Sequence, residues 1–120
     1  MSVVLRKGYG LGAMAMTAGG FHAPLCTIAW PSGEFGAMGL EGAVRLGFKK
    51  ELETQPEGPQ RDALFAQLLA QQVDGGSAIN MAASLEIDAV IDPADTRTWL
   101  SRALATGRTG ALRGAMVDTW

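Results

Sequence analysis

The order of apolar and polar residues divides the chain into two parts with different patterns. Short apolar runs predict strands in the first part, at Ser2–Leu5 and Leu25–Trp30, with a weaker strand at Glu34–Met38. Apolar residues spaced three and four apart predict helices, mainly in the second part. The predicted helices are Gly10–Ala18, Leu40–Lys50, Pro59–Gly75, Ser77–Leu85 and Asp92–Thr106, and a last strand is predicted at Ala89–Ile91. This alternation predicts an α/β chain.

Apolar stripes on the predicted helices indicate which faces are buried. Leu40, Val44 and Phe48 recur every four residues and form one such stripe. Further stripes are Leu64 with Leu68, Phe65 with Leu69 and Val73, and Trp99 with Leu100, Ala103 and Leu104. The strands are short and few for so many helices, and no internal repeat is visible. We therefore expect the chain to be part of a larger α/β fold.

Composition and charge exclude several classes of protein. The 120 residues are 48% hydrophobic and 18% charged, with a net charge of −2, which fits a globular chain without a nucleic-acid-binding surface. Cys26 is the only cysteine, which excludes an internal disulfide and indicates a reducing compartment. Residues 8–33 lack Asp, Glu, Lys and Arg, but His22 and Pro24 interrupt them, so they do not predict a membrane span. Because no signal peptide is visible either, we expect a cytoplasmic protein.

Alternating glycines form a turn between the first strand and the first helix. The run Gly8–Ala13 matches the dinucleotide-binding pattern G-x-G-x-x-A, and the acidic residue Glu34 follows it. The match is weak because Arg6 and Lys7 stand where an apolar strand should end. Pro31 also interrupts the second strand before the acidic residue is reached.

A second interpretation of this turn depends on the backbone alone. The first turn of a helix leaves N–H groups free at the positive end of the helix dipole, and glycine lets a ligand oxygen approach them closely. Such a turn can stabilise an oxyanion without any titratable side chain. This would explain why only Ala, Met and Thr separate the turn from Gly19.

Four sequence blocks occur in a fixed order over residues 3–104. They are Arg-Lys-Gly-Tyr-Gly at 6–10, Ala-Trp-Pro at 29–31, Met-Gly-Leu-Glu-Gly-Ala-Val at 38–44, and Ile-Asp-Ala-Val-Ile-Asp-Pro-Ala-Asp-Thr-Arg at 87–97. Together they resemble the carboxyltransferase (beta) subunits of biotin-dependent acyl-CoA carboxylases of the acetyl-/propionyl-CoA type. The resemblance implies a truncated crotonase-like (ClpP/crotonase) spiral fold. It assigns residues 1–107 to the C-terminal part of the family's second domain and residues 108–120 to a C-terminal tail.

The resemblance also implies a reaction and a role for each site residue. The family moves a carboxyl group from carboxybiotin to the α-carbon of an acyl-CoA, and biotin supplies the base. By this resemblance, the backbone N–H groups of Leu11 and Gly12 form an oxyanion hole for the biotin carbonyl, and Gly10 lies beside the cofactor. Tyr9 either packs on biotin or holds the turn by packing in the core, and the core position is favoured. Met14 lines the acyl pocket, although a core position on the helix is equally expected. No metal is implied in this segment.

The implied partners are the acyl-CoA, the biotin carboxyl carrier domain and the family's first carboxyltransferase domain. Because the thioester side of the active site lies in that first domain, we expect this chain to be inactive alone. A homo-oligomer is expected because a truncated spiral exposes a sheet edge and an apolar face. The alternative is a non-catalytic remnant that acts only in self-association or partner binding.

Overall fold

The first half of the chain consists of two consecutive units of strand, strand and helix. The computed structural model describes residues 1–107. The first unit contains β1 (Ser2–Val4), β2 (Lys7–Tyr9) and α1 (Gly10–Met16), and the second contains β3 (Thr27–Ala29), β4 (Glu34–Gly36) and α2 (Leu40–Gly47). This repeat is not visible in the sequence because the two units share the order of their elements rather than their residues.

The elements that follow are mostly helical. They are α3 (Lys49–Glu53), α4 (Pro59–Gly75), α5 (Ala78–Ala83), β5 (Ala89–Val90), a 3-10 turn (Pro93–Asp95) and α6 (Thr96–Thr106). Pro59 occupies the first turn of α4, and the Asp92 carboxylate accepts a hydrogen bond of 2.8 Å from the Ala94 N–H at the 3-10 turn. Within residues 1–107, the helices are too short or too polar to cross a membrane.

All strand pairs are parallel, and each unit contributes one strand to each of two sheets. In the first sheet β3 lies between β1 and β5, with Val3 opposite Ile28. In the second sheet β2 pairs with β4, so that Lys7 lies opposite Glu34 and Tyr9 opposite Gly36. The chain therefore advances by one strand in both sheets with each unit, which makes the fold a spiral.

The core lies between β3, β4 and α5. All of β3 is buried, and Phe35 of β4 packs with Ala78 of α5 in one apolar cluster. The ring of Phe21 meets the ring of Phe35 edge-on, with centroids 5.2 Å apart. The buried Thr27 hydroxyl donates a hydrogen bond of 2.6 Å to the Phe21 carbonyl oxygen. Because β2 pairs with β4, this small core fixes the position of β2. It thereby also fixes the start of α1, which follows β2 directly.

Most predicted strands and α5 are shorter in the structure than the sequence-based prediction, and three further differences have a physical reason. β2 was not predicted as a strand. The first helix ends at Met16 instead of Ala18, because Ala18 adopts φ +55° after both the N–H and the hydroxyl of Thr17 bond back to α1. The helix predicted over Leu40–Lys50 is divided at Phe48, whose φ of −110° and ψ of 26° lie outside the helical region.

The predicted burial of the last helix holds only in part, since Leu100 and Ala103 are half-buried but Trp99 and Leu104 are exposed. Trp99 is 37% exposed and Leu104 is 68% exposed, and no residue of α6 is fully buried. Only one edge of the predicted stripe is therefore covered within residues 1–107. The tail predicted at residues 108–120 lies outside the described residues.

Candidate active site

The glycine turn lies at the junction of β2 and α1. Tyr9 ends β2 with extended backbone, and Gly10 begins α1 with φ +56°, in the left-handed region that glycine favours. A Cβ atom on Gly10 would lie 2.8 Å from the carbonyl oxygen of Ala37, so the turn packs directly on the segment after β4. Gly10 is therefore required by its conformation and by this close contact. At Gly12, in contrast, a Cβ atom would meet nothing within 4 Å.

Leu11 and Gly12 present backbone N–H groups at the open end of α1. Residues in the first turn of a helix have no hydrogen-bond acceptor within that helix. In the described part of the chain, neither N–H donates to another element, and no side chain caps this helix. The Leu11 side chain is 81% exposed. Both N–H groups are thus available to an oxygen atom of a ligand.

Two open cavities flank α1, and the predicted site residues are divided between them. The larger cavity has a volume of about 730 Å³ and lies along β1 and β2, where Tyr9 and Gly12 are part of its wall. The smaller has a volume of about 410 Å³ and is lined mainly by apolar groups. Its wall contains Gly10, Leu11, Met14, Phe21, Phe35, Gly36, Ala37 and Met81. The structure therefore does not bring the five predicted residues into one cavity, and Met14 is a wall residue rather than a core residue.

The Tyr9 side chain is held by an acidic residue from the neighbouring strand. Its phenol donates a hydrogen bond of 2.7 Å to Oε2 of Glu34 at the start of β4. Partial burial, this hydrogen bond and the negative charges of Glu34 and Glu41 raise the pKa of Tyr9 to about 12, with Arg6 opposing them. The Lys7 ammonium lies 5.8 Å from the centre of the Tyr9 ring.

Glu34 is a site residue that sequence reasoning assigned only to the weak dinucleotide pattern. That pattern requires the acidic residue at the end of a strand, whereas Glu34 begins β4, opposite Lys7, and its side chain reaches Tyr9 two residues further along β2. The parallel pairing of β2 with β4 brings the two residues together. Since β2 was not predicted, no signal in the sequence connected them.

The placement of the His, Cys, Asp and Glu side chains decides whether the described residues could hold a metal ion. Within residues 1–107, no three His, Cys, Asp or Glu side chains are grouped closely enough to hold a metal ion. Nε2 of His22 lies 3.4 Å from Oε2 of Glu86, and both side chains are exposed. The chemistry that this site offers is therefore that of backbone donors, an aromatic hydroxyl and an apolar wall.

Two solved structures that match this chain are a transcarboxylase and an acyl-CoA carboxylase. Transcarboxylase 12S, whose structure describes hexamer assembly and bound methylmalonyl-CoA, matches 98% of this chain and 22% of its own with a TM-score of 0.74 and 35% identity. A single-chain, multi-domain long-chain acyl-CoA carboxylase matches 84% of this chain and 10% of its own with a TM-score of 0.70 and 50% identity. The spiral of two parallel sheets is thus part of a crotonase-like α/β fold, as the sequence predicted.

The sequence comparisons identify the family. The model of the carboxyl transferase domain family matches residues 1–114, and the chain belongs to that family. The beta6 subunit of a biotin-dependent acetyl-/propionyl-coenzyme A carboxylase from Mycobacterium tuberculosis (strain ATCC 25618 / H37Rv) is 37% identical over 106 residues, which are 88% of this chain and 22% of that subunit. The chain spans about a fifth of the length of the curated relatives it matches. The resemblance stated from the four sequence blocks is confirmed.

Proposed function

We propose that this chain supplies the biotin side of a carboxyltransferase active site, which moves a carboxyl group from carboxybiotin to the α-carbon of an acyl-CoA. The observation that carries this proposal is the open first turn of α1 in a chain of the carboxyl transferase domain family. In this assignment residues 1–107 are the C-terminal part of the family's second domain and residues 108–120 are its tail.

The backbone N–H groups of Leu11 and Gly12 are the proposed donors to the biotin carbonyl oxygen. Biotin, when bound, supplies the carboxyl group and the base, so the chain needs no titratable base of its own. Two features fit the cofactor: Gly12 has open space around its α-carbon, and neither donor is used elsewhere in residues 1–107. Preorganised N–H donors stabilise negative charge on oxygen, which is the electrostatic role proposed here. Tyr9 and Gly10 shape the space beside the cofactor.

The acyl chain is the proposed occupant of the smaller cavity. Leu11, Met14, Phe35 and Met81 give this cavity an apolar wall, which suits an acyl chain without a charged group. The relative with 50% identity is described as a long-chain acyl-CoA carboxylase, which supports an apolar acyl-CoA as the substrate class. Met14, 44% exposed on this wall, is the proposed substrate-binding residue.

The proposed partners follow from the relatives. A biotin carboxyl carrier domain would deliver the carboxyl group, the first carboxyltransferase domain would bind the thioester, and copies of the chain would form a homo-oligomer in the cytoplasm. The hexamer assembly described for transcarboxylase 12S supports oligomerisation.

A second candidate is a non-catalytic role in self-association or partner binding. It is favoured by the large apolar side chains that α1 and α5 leave exposed, such as Leu11, Met16 and Ile79. This candidate predicts that the donors at the glycine turn are not used in any reaction.

The experiment that tests the proposed function compares two variants in an intact relative that contains this segment. Leu11→Ala keeps both N–H donors and is expected to leave the rate within a few fold. Gly12→Pro deletes one donor and is expected to lower the rate by about 100- to 1000-fold, the usual effect of losing one oxyanion donor. Circular dichroism must first show that the Pro variant is folded, because proline also restrains the backbone. Equal rates in the two folded variants would reject the oxyanion role.

A further inference from the structure

Glu34 contacts both ends of β2. Its backbone N–H donates a hydrogen bond of 2.6 Å to the carbonyl oxygen of Arg6, immediately before the strand. Its side-chain carboxylate accepts the hydrogen bond from the phenol of Tyr9, the last residue of the strand. One residue of β4 therefore restrains the whole strand that leads into the glycine turn.

The Tyr9 side chain has a defined position, and its hydroxyl end is held by the hydrogen bond to Glu34. Gly36 lies opposite Tyr9 in the strand register, and a Cβ atom on Gly36 would lie 3.7 Å from Cδ1 of the Tyr9 ring. That separation is an ordinary van der Waals contact, so the Tyr9 ring lies close beside Gly36 on the sheet. The phenol then reaches back along β4 to Glu34, so the ring is held by packing at one end and by a hydrogen bond at the other.

In the described part of the chain, the basic side chains do not compete with the Tyr9 phenol for the Glu34 carboxylate. Lys7 is the register partner of Glu34, yet its ammonium lies over the Tyr9 ring. Within residues 1–107, no Lys, Arg or His side chain comes within 4 Å of the Glu34 carboxylate. The contacts of this length between basic and acidic side chains there involve Glu53, Glu57 and Glu86. A hydrogen bond to a charged acceptor is stronger than a neutral one.

We propose that Glu34 is a positioning residue, whose hydrogen bond to Tyr9 fixes the aromatic wall of the larger cavity and the backbone that enters the Gly10–Gly12 turn. The structural part of this proposal concerns the order of the turn. Its catalytic part rests on the proposed function, since it matters for turnover only if the turn binds the cofactor.

The chain allows this proposal to be tested directly, because Tyr9 is its only tyrosine. Absorbance at alkaline pH then reports one phenol, and nuclear magnetic resonance reports the order of the Leu11 and Gly12 amides. Tyr9→Phe and Glu34→Ala each remove the hydrogen bond, while Glu34→Gln keeps an acceptor without the charge. Glu41→Gln is the matched control, since it removes a nearby negative charge that makes no hydrogen bond to Tyr9.

We expect the amide order parameters of Leu11 and Gly12 to fall from about 0.85 to below about 0.6 in Tyr9→Phe and in Glu34→Ala. The double variant should fall no further than either single variant, because both remove the same interaction. Glu34→Gln should restore the order while it moves the phenol pKa toward its usual value near 10, and Glu41→Gln should leave the order unchanged. In an intact relative, Tyr9→Phe should lower kcat and leave KM for the acyl-CoA unchanged.

Unchanged order at Leu11 and Gly12 in both Tyr9→Phe and Glu34→Ala would overturn the positioning role. If Glu34→Ala fails to fold, Tyr9→Phe decides alone, because it removes only the phenol oxygen of this hydrogen bond and leaves Glu34 unchanged. The two proposals fail in different ways. If the amide order parameters fall in Tyr9→Phe but Gly12→Pro keeps a normal rate in an intact relative, the positioning role stands and the oxyanion role is rejected.

Discussion

Tyr9 is the residue at which the strand, the turn and the larger cavity meet. Its raised pKa links the stability of the folded chain to pH, because the phenol loses its proton more easily in the unfolded state. The group keeps its full stabilising effect below its usual pKa near 10, and the effect is lost as pH rises toward about 12. The pH window is therefore alkaline and lies between those two values.

The first prediction follows from this window. The free energy of unfolding should fall between about pH 10 and pH 12 more steeply in the natural chain than in Tyr9→Phe, which has no phenol to ionise. Urea unfolding at several pH values measures this, and the Phe variant corrects for lysines that titrate in the same range. Parallel pH profiles for the two proteins would contradict the assigned environment of Tyr9.

The second prediction concerns the two glycines of the turn. Gly10→Ala should lower the free energy of unfolding by at least about 1–2 kcal/mol, because the residue has a left-handed φ and its Cβ would press on Ala37. Gly12→Ala is the matched control. It has open space and should raise the stability by up to about 1 kcal/mol, since alanine favours a helix. Equal effects in urea unfolding would mean that the turn has a different conformation.

Among the elements, those with a strong local pattern were predictable and those fixed by tertiary pairing were not. α4 begins at Pro59 and ends at Gly75, as its proline and glycine signals predict. β2 has no apolar run, because Lys7 and Gly8 fill two of its three positions, and only its pairing with β4 makes it a strand. For the same reason the sequence pointed to the glycine turn but not to the contact of Tyr9 with Glu34, which depends on that pairing.

The third prediction tests the packing of α2. Val44 is completely buried, so Val44→Ala should lower the free energy of unfolding by about 2 kcal/mol through lost burial and the cavity left behind. Leu46 in the same helix is 69% exposed, and Leu46→Ala should change stability by less than about 0.5 kcal/mol. Chemical unfolding of both variants provides the measurement. A larger loss at Leu46 would show that this face is covered in solution.

At the scale of the whole molecule, much apolar surface remains open. Large side chains on α1, α5 and α6 are exposed, among them Met16 at 83%. Within residues 1–107, β1 is also an edge strand, which pairs with β3 on one side and has no partner on the other. Open strand edges and contiguous apolar patches favour association with another chain.

The fourth prediction is therefore that this chain self-associates. Light scattering at micromolar concentration should give a mass above that of the 12.6 kDa monomer. Met16→Lys places a charge on the exposed face without touching the core, and it should shift the mass toward the monomer. A natural chain that is monomeric at the same concentration would contradict this expectation.

The fifth prediction is that the 120-residue chain alone transfers no carboxyl group to any acyl-CoA. It spans about a fifth of the length of its curated relatives. The assay supplies a carboxyl donor, biotin and several acyl-CoAs, with an intact relative as the positive control. Turnover above background would show that the described segment is sufficient.

The spiral also has a consequence for the order in which the protein forms on the ribosome. Ser2 pairs with Thr27 and Lys7 with Glu34, so each strand of the second unit joins a strand that was synthesised shortly before it. Ile28 instead pairs with Ala89, which is synthesised only after α3, α4 and α5. During synthesis the edge of β3 that later pairs with β5 therefore stays unpaired for the longest interval within residues 1–107, and it is then open to pairing with another chain.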